Sequence, residues 1–275
     1  MKNEEKRDYN YKPVEELTFT DDFMFGAVMK HKEICIGVLE RLLHIKIDHI
    51  EYPKLQKHLK PFYTSKGVRL DVYVKDSDRV FDVELQNRKF EALGKRTRYY
   101  QSMIDMDNLM KGEDYSTLKE SYVIFICTDD PFGKGLAQYS FKDVCLENTE
   151  VELDDKVHKL IYNSSSYKVA KDTDPKLYNF LRFVNDNSAD DDFTDEISRL
   201  VEKIKANDKF KTEYMAVNLH ERDIRVEAER NGIAKGEQKK AIETARKMLA
   251  AGLAVEQISL FVDLPAEEIK KLQKD

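Results

Sequence analysis

Two short alternating runs constrain this chain more than any other feature. Val68, Leu70, Val72 and Val74 alternate with Arg69, Asp71 and Tyr73, and Phe81, Val83 and Leu85 alternate with Asp82, Glu84 and Gln86. A period of two built on β-branched residues predicts two strands. Between them, Lys75-Asp76-Ser77-Asp78-Arg79 is a polar turn sequence. The stretch from Gly67 to Gln101 therefore opens as a β-hairpin with one apolar face and one face bearing Asp71, Glu84 and Gln86. A turn centred near Ser77 and Asp78 sets Asp71 directly opposite Glu84. Cross-strand Cβ atoms lie about 4.5–5.5 Å apart, so carboxylates placed there repel. Two explanations are open. The face is solvated and the repulsion screened, as for most exposed charges, or a divalent cation takes both groups. Mg²⁺ prefers hard oxygen ligands, often one or two carboxylates with water and phosphate oxygens.

Beyond Gln86 the chain turns basic, with Arg88, Lys89, Lys95, Arg96 and Arg98 against the single acid Glu91. From about Phe90 to Met110 the pattern is helical. Leu93, Met103, Met106, Leu109 and Met110 are available for burial, and Gly112 is a stop. Lys95, Arg98, Tyr99 and Gln101 crown its first turns. A carboxylate hairpin leading into a basic helix start suits a phosphate group, because metal and cations together stabilise an anionic, in-line displacement.

Four stretches, in this order and spacing, carry a family resemblance. They are Thr20-Asp21-Asp22-Phe23-Met24-Phe25, Arg69-Leu70-Asp71-Val72, Val83-Glu84-Leu85-Gln86 and Arg96-Thr97-Arg98-Tyr99-Tyr100. Asp71 with Glu84-Leu85-Gln86 resembles the PD-(D/E)XK nuclease core. The wider pattern is similar to the recombination-promoting nucleases, also named PD-(D/E)XK nuclease family transposases. It covers Leu17 to Tyr167 well and the helical remainder more loosely.

The resemblance implies that Asp71 and Glu84 are ligands for Mg²⁺ or Mn²⁺ and that Gln86 stands where the superfamily has lysine. Lysine would orient water or stabilise charge as a cation, whereas glutamine is neutral and only hydrogen-bonds. A needed cation then falls to Arg96, Arg98 or Lys89, which would contact DNA phosphates. Glu33 and Tyr100 are accessory candidates. Asp22 is either the family's early acid or a helix-start residue complementing the dipole.

The 275 residues suffice for one or two domains with a sizeable core. The net charge of -6 excludes a general basic coat for nucleic acid, so DNA binding must come from local patches. Cys35, Cys127 and Cys145 are too few and scattered for a disulfide framework or metal cluster, which suits a reducing cytoplasm. No apolar run reaches the ~18–20 residues of a membrane span. The opening MKNEEKRDYN is polar, with no secretory signal apparent.

Along the chain, residues 1–16 form a polar lead and residues 17–187 a nuclease-like domain. Within it, a helical pattern runs from Asp22 to about His44, with the Phe23 to Phe25 cluster in the core. Ile45 to Tyr52 suggests a strand. Lys54 to Lys66, with Lys57, Lys60, Pro61, Phe62 and Tyr63, is either a solvated loop or a second phosphate-facing segment. Ser121 to Cys127 is a strand covered on both sides, and Tyr139 to Val144 and Lys159 to Tyr162 are further short strands. Asp174-Pro175 starts a helix to about Asn187, and another runs from about Thr194 to Phe210. Residues 188–240 form a helical extension containing His220, a lone surface residue. Residues 241–275 form a small unit of three helices that resembles a helix-turn-helix in outline; DNA reading and packing or oligomer contact are both open for it.

The expected fold is α/β: a restriction-endonuclease-like core, with a central mixed sheet flanked by helices, and an α-helical C-terminal region. The expected function is a metal-dependent DNA endonuclease, with DNA as partner, no membrane, and a homo-oligomer formed through the helical C-terminal region. The family resemblance links it to recombination, transposition or defence. The alternatives are a catalytically degraded DNA-binding or regulatory module and an oligomeric interaction protein.

Overall fold

A computed structural model of the chain describes residues 12–51, 53–59, 68–88 and 91–272. Lys89, Phe90 and Gly67, the basic stretch from Lys60 to Lys66 and the first eleven residues of the polar lead lie outside the described residues. The chain divides into two compact units, one spanning Lys12–Lys211 and the other including Thr212 onward.

The larger unit is built on a six-stranded mixed sheet in the order β1-β2-β3-β4-β6-β5. Its strands are β1 (Lys54–Leu59), β2 (Val68–Lys75), β3 (Arg79–Gln86), β4 (Glu120–Cys127), β5 (Gln138–Phe141) and β6 (Val157–Asn163). β1, β2 and β3 are antiparallel neighbours, β3, β4 and β6 run parallel, and β5 closes one edge antiparallel to β6. The expected hairpin is therefore β2–β3, and the apolar run SYVIFIC is the central strand β4, buried from Ser121 to Cys127. A strand between two partners and beneath helices on both faces needs no polar face, hence the unbroken apolar run.

One face of the sheet is covered by α3 (Leu93–Asn108), which buries Leu93, Tyr100, Met103 and Ile104 against Tyr73, Val123, Phe125 and Ile161. Its far end is tied to β1 and β2. Asp107 takes Lys57 and the Tyr73 hydroxyl, and Asn108 Oδ1 accepts from Lys75 at 2.6 Å. Lys57 is thereby committed to the fold rather than to phosphate.

The expected single helical pattern from Asp22 to His44 is two helices, α1 (Asp22–Met29) and α2 (Lys32–Leu43). Phe25 lies in an aromatic cluster with Phe19, which also packs on Phe180 and Phe183 of α4 (Pro175–Asp186). Asp174 caps α4 by accepting from the Leu177 N–H at 3.0 Å, with Pro175 at the first position, as the sequence signals. α5 (Asp192–Lys205) opens on an Asp191–Thr194 capping box. Its Phe193 ring lies 3.7 Å beneath the Arg41 guanidinium of α2.

Three expectations are corrected. Residues 45–51 form no strand; the neighbouring strand is β1, inside the stretch read as a loop. Cross-strand pairing with β2 overrides the lysine-rich composition there. The helix expected from Thr194 to Phe210 breaks after Lys205, and a new helix starts at Asp208. Alternation along β2 also fails at Asp71. Leu70 and Tyr73 share one core cluster, although three residues apart. The β1–β2 pairs on either side leave Asp71 unpaired opposite Gln56, whose φ of 48° is left-handed.

In the second unit α6 (Asp208–Ala250) continues without a break into the segment read as a separate helix from Ala241. Gly252, at φ +83°, then reverses the chain. α7 (Val255–Ile258) and α8 (Ala266–Leu272) pack Val255, Ile258, Val262, Leu264 and Ile269 around Ala245.

Candidate active site

The β2–β3 ladder ends at the pair Val72–Val83, one residue short of Asp71 and Glu84. There the side chains take over the pairing. Glu84 Oε1 accepts from the Asp71 N–H at 2.7 Å, and Asp71 Oδ2 accepts from the Leu85 N–H at 3.3 Å. The opposition inferred from the turn is thus present, as a reciprocal clasp of two carboxylates and two backbone amides.

Of the two explanations open for this face the solvated one is not what β3 presents, because β4 and α3 cover its polar side. Glu84 is 1% exposed and Gln86 8%. Burial first, then the charge of Asp71, pushes the Glu84 carboxyl up to about 8 against the pull of the Asp71 N–H and Arg96. Burial and the charge of Asp22 push Asp71 up to about 6, while the Leu85 N–H, Arg69 and Arg96 hold it down.

Arg96 reaches this pair from the first turn of α3. Its Nη2 donates to Glu84 Oε2 at 2.9 Å, and its Nη1 to Gln86 Oε1 at 2.6 Å. Nε and Nη2 also donate to the Tyr100 hydroxyl, one turn along the helix, at 3.0 and 2.8 Å. The guanidinium lies 4.9 and 5.1 Å from the ring centres of Tyr100 and Phe125. Planar, five-donor arginine suits this fork between rings; lysine could not span it. Gln86 is fixed at its other end by donating to the Arg88 carbonyl at 2.8 Å.

Asp22 is exposed at the start of α1, and Asn87 Nδ2 donates to its Oδ1 at 3.3 Å and to the Thr20 carbonyl. This link draws the N-terminal segment to the end of β3, where the Asp22 charge is felt by Asp71. Arg98 is exposed, about 200° around the helix from Arg96. Glu33 is exposed in the first turn of α2, and no contact among the described residues joins it to Asp71 or Glu84.

Sequence reasoning missed Asp82. It is 0% exposed, and no described donor faces either carboxylate oxygen. Burial, then Glu84 and Asp71, drives its carboxyl well above the usual range. Protonated, it can donate to Glu84. The available signal was β4, whose unbroken apolar run implies that its neighbour is covered too. Asn87 gave no signal in advance.

The donor set suits a hard divalent cation. Two carboxylates whose proximity raises the cost of ionising both are relieved by a positive ion, with water or phosphate oxygens completing its shell. No cluster of three or more His, Cys, Asp or Glu side chains surrounds one point among the described residues.

A mixed sheet whose antiparallel hairpin carries Asp71 and Glu84, flanked by helices, defines a restriction-endonuclease-like α/β core. The chain belongs to the PD-(D/E)XK nuclease family transposases, which it matches over residues 19–245. No curated protein and no solved structure matches it. No helix among the described residues is long and apolar enough to cross a membrane.

Proposed function

We propose that this chain is a metal-dependent DNA endonuclease that hydrolyses phosphodiester bonds in recombination, transposition or defence. The observation that carries the reading is the fork of Arg96 across Glu84 and Gln86. It brings a fixed cation to the residue that stands in place of lysine. Asp71 and Glu84 would hold Mg²⁺ or Mn²⁺. When bound, the ion would lower the pKa of water and shield phosphate charge.

The chain's own groups do the rest. Gln86 orients water or the scissile phosphate through its amide. Arg96 faces the charge that develops as the P–O bond breaks, and Tyr100 and Phe125 keep its guanidinium in place. Asp22, held by Asn87, adds negative charge beside Asp71 and so strengthens the call for a cation. Lys89 and Arg98 contact backbone phosphates, which position DNA without reading its sequence. The chain acts as a homo-oligomer through its helical C-terminal region. Cys35 and Cys127, free and buried, suit a reducing cytoplasm.

One observation favours a second reading, a DNA-binding module without cleavage. Both Glu84 oxygens already have donors, Asp71 N–H and Arg96, so a metal must displace or share them. Supercoiled plasmid incubated with Mg²⁺, Mn²⁺ or chelator, beside Asp71→Ala, separates the two. Nicking or linearisation that needs both metal and Asp71 supports the nuclease. DNA retention without cleavage in any metal supports the module.

A further inference from the structure

Along β2 seven residues are buried or half-buried, and Arg69 is exposed. Unbroken alternation from Tyr73 would put Arg69 on the same face, in the cluster beneath α3. Instead Val68 and Leu70 join Tyr73 in that cluster, so Arg69, which lies between them, falls on the other face. The slip occurs at Asp71 and is shared by β1, where Gln56, opposite Asp71, has a left-handed backbone. Such strain in a non-glycine residue gathers at functional sites. Here its effect is to bring a guanidinium out of the core and into water.

Arg69 also stands at an opening. Beyond the clasp of Asp71 and Glu84 the two strands part. Val68, Arg69 and Leu70 pair with Leu59, His58 and Lys57 of β1, while Glu84, Leu85 and Gln86 pair with Phe125, Ile126 and Cys127 of β4. Counting on from the last β2–β3 pair sets Arg69 level with Gln86, about 7 Å along the strand from Asp71. The charge of Arg69 acts on the Asp71 carboxyl ahead of that of Arg96. Yet among the described residues Arg69 makes no hydrogen bond or ion pair. Its cross-strand neighbour His58 is exposed and has none either among the described residues. Two basic side chains set opposite each other suit an anion as opposed carboxylates suit a cation. Arginine in particular takes phosphate through two parallel N–H donors.

We propose that Arg69, with His58 beside it, grips the DNA backbone phosphate next to the one that is cut, and so positions the strand in the opening between β2 and β3. This rests on the nuclease reading above. It can fail while that reading stands, because its test measures binding and not cleavage.

The test is the affinity of the full chain for a labelled DNA duplex in chelator, by fluorescence anisotropy between about 50 and 200 mM salt. Each phosphate contact contributes about 0.9 to the slope of log K against log salt. Arg69→Gln should therefore flatten that slope by about 0.9 and raise Kd by about eightfold at about 0.1 M salt. Arg69→Met, which keeps the apolar stem, should repeat the result. Arg69→Lys keeps the charge and should keep the slope. Lys111→Gln removes one exposed charge beyond the far end of α3 and should change neither quantity. Urea unfolding of Arg69→Gln should match wild type, because the side chain is exposed. Wild-type affinity and slope in both Arg69→Gln and Arg69→Met overturn the proposal. So does an equal loss in Lys111→Gln, which would make the effect one of net charge. A wild-type chain that retains no DNA overturns this proposal and the nuclease reading together; one that cuts plasmid while the Arg69 variants bind unchanged overturns this proposal alone.

Discussion

Glu84→Gln removes a carboxyl that folding pushes from its ordinary 4.5 up to about 8. The sign follows from proton uptake. Between those values the folded chain holds a proton at Glu84 that the unfolded chain has released, so stability falls as pH rises. At about 1.4 kcal/mol per unit, the metal-free fold loses about 3 kcal/mol from this group between pH 5 and pH 8. Asp71, raised to about 6, adds a smaller loss that ends earlier. Glutamine keeps an oxygen for the Asp71 N–H but has no proton to release. Any change in the hydrogen bond from Arg96 offsets the curve, whereas the slope belongs to the titration. Urea unfolding in chelator at pH 5 and pH 8 measures the difference between the two proteins. The variant should gain about 3 kcal/mol on wild type across that range. At pH 8, added Mg²⁺ should restore wild type and leave the variant unchanged. Parallel pH curves would refute the account of Glu84 as a buried carboxyl held neutral by burial and Asp71.

Arg96→Met should lower cleavage by about 100-fold or more, the order seen when one preorganised charge-stabilising donor is removed, with plasmid nicking as the assay. Arg98→Met, on the exposed side of the same helix, should cost far less. Gly37→Ala should destabilise the fold by about 1–2 kcal/mol, overpacking outweighing the helix-propensity gain. The added Cβ would overlap the Phe193 ring that stacks under Arg41. Thermal unfolding reads this, and Phe193→Leu in the same chain should recover most of it.

The hairpin was legible because its information is local: alternation fixes the strands, and a short polar turn fixes which residues face each other. The register linking Asp71 to Glu84 follows from that alone. Arg96 was legible only as one of three cations, since nothing in the order Arg88 to Arg98 says which helix face meets the sheet; α3 packing on Phe125 decides it. Asp82 was legible only indirectly, through the apolar run of β4. It shares the alternation of Glu84 and Gln86, and its burial comes from β4 and α3, placed by contacts distant in sequence. The strand at Lys54–Leu59 was hidden by its lysines, one of which is neutralised by Asp107.

The site residues from Asp71 to Tyr100 sit close together in sequence, but the sheet that holds them does not. β4 is covered only when β6 pairs with it and the helices of its other face arrive, the last of them ending at Asp186 and Lys205. During synthesis, at about 5–20 residues per second, the carboxylates and their arginine emerge several seconds before that support. A nascent chain therefore displays the chemical groups before the sheet that holds them in place is covered. Under the proposed nuclease reading, competence arrives with these later helices, once about three quarters of the chain has been made.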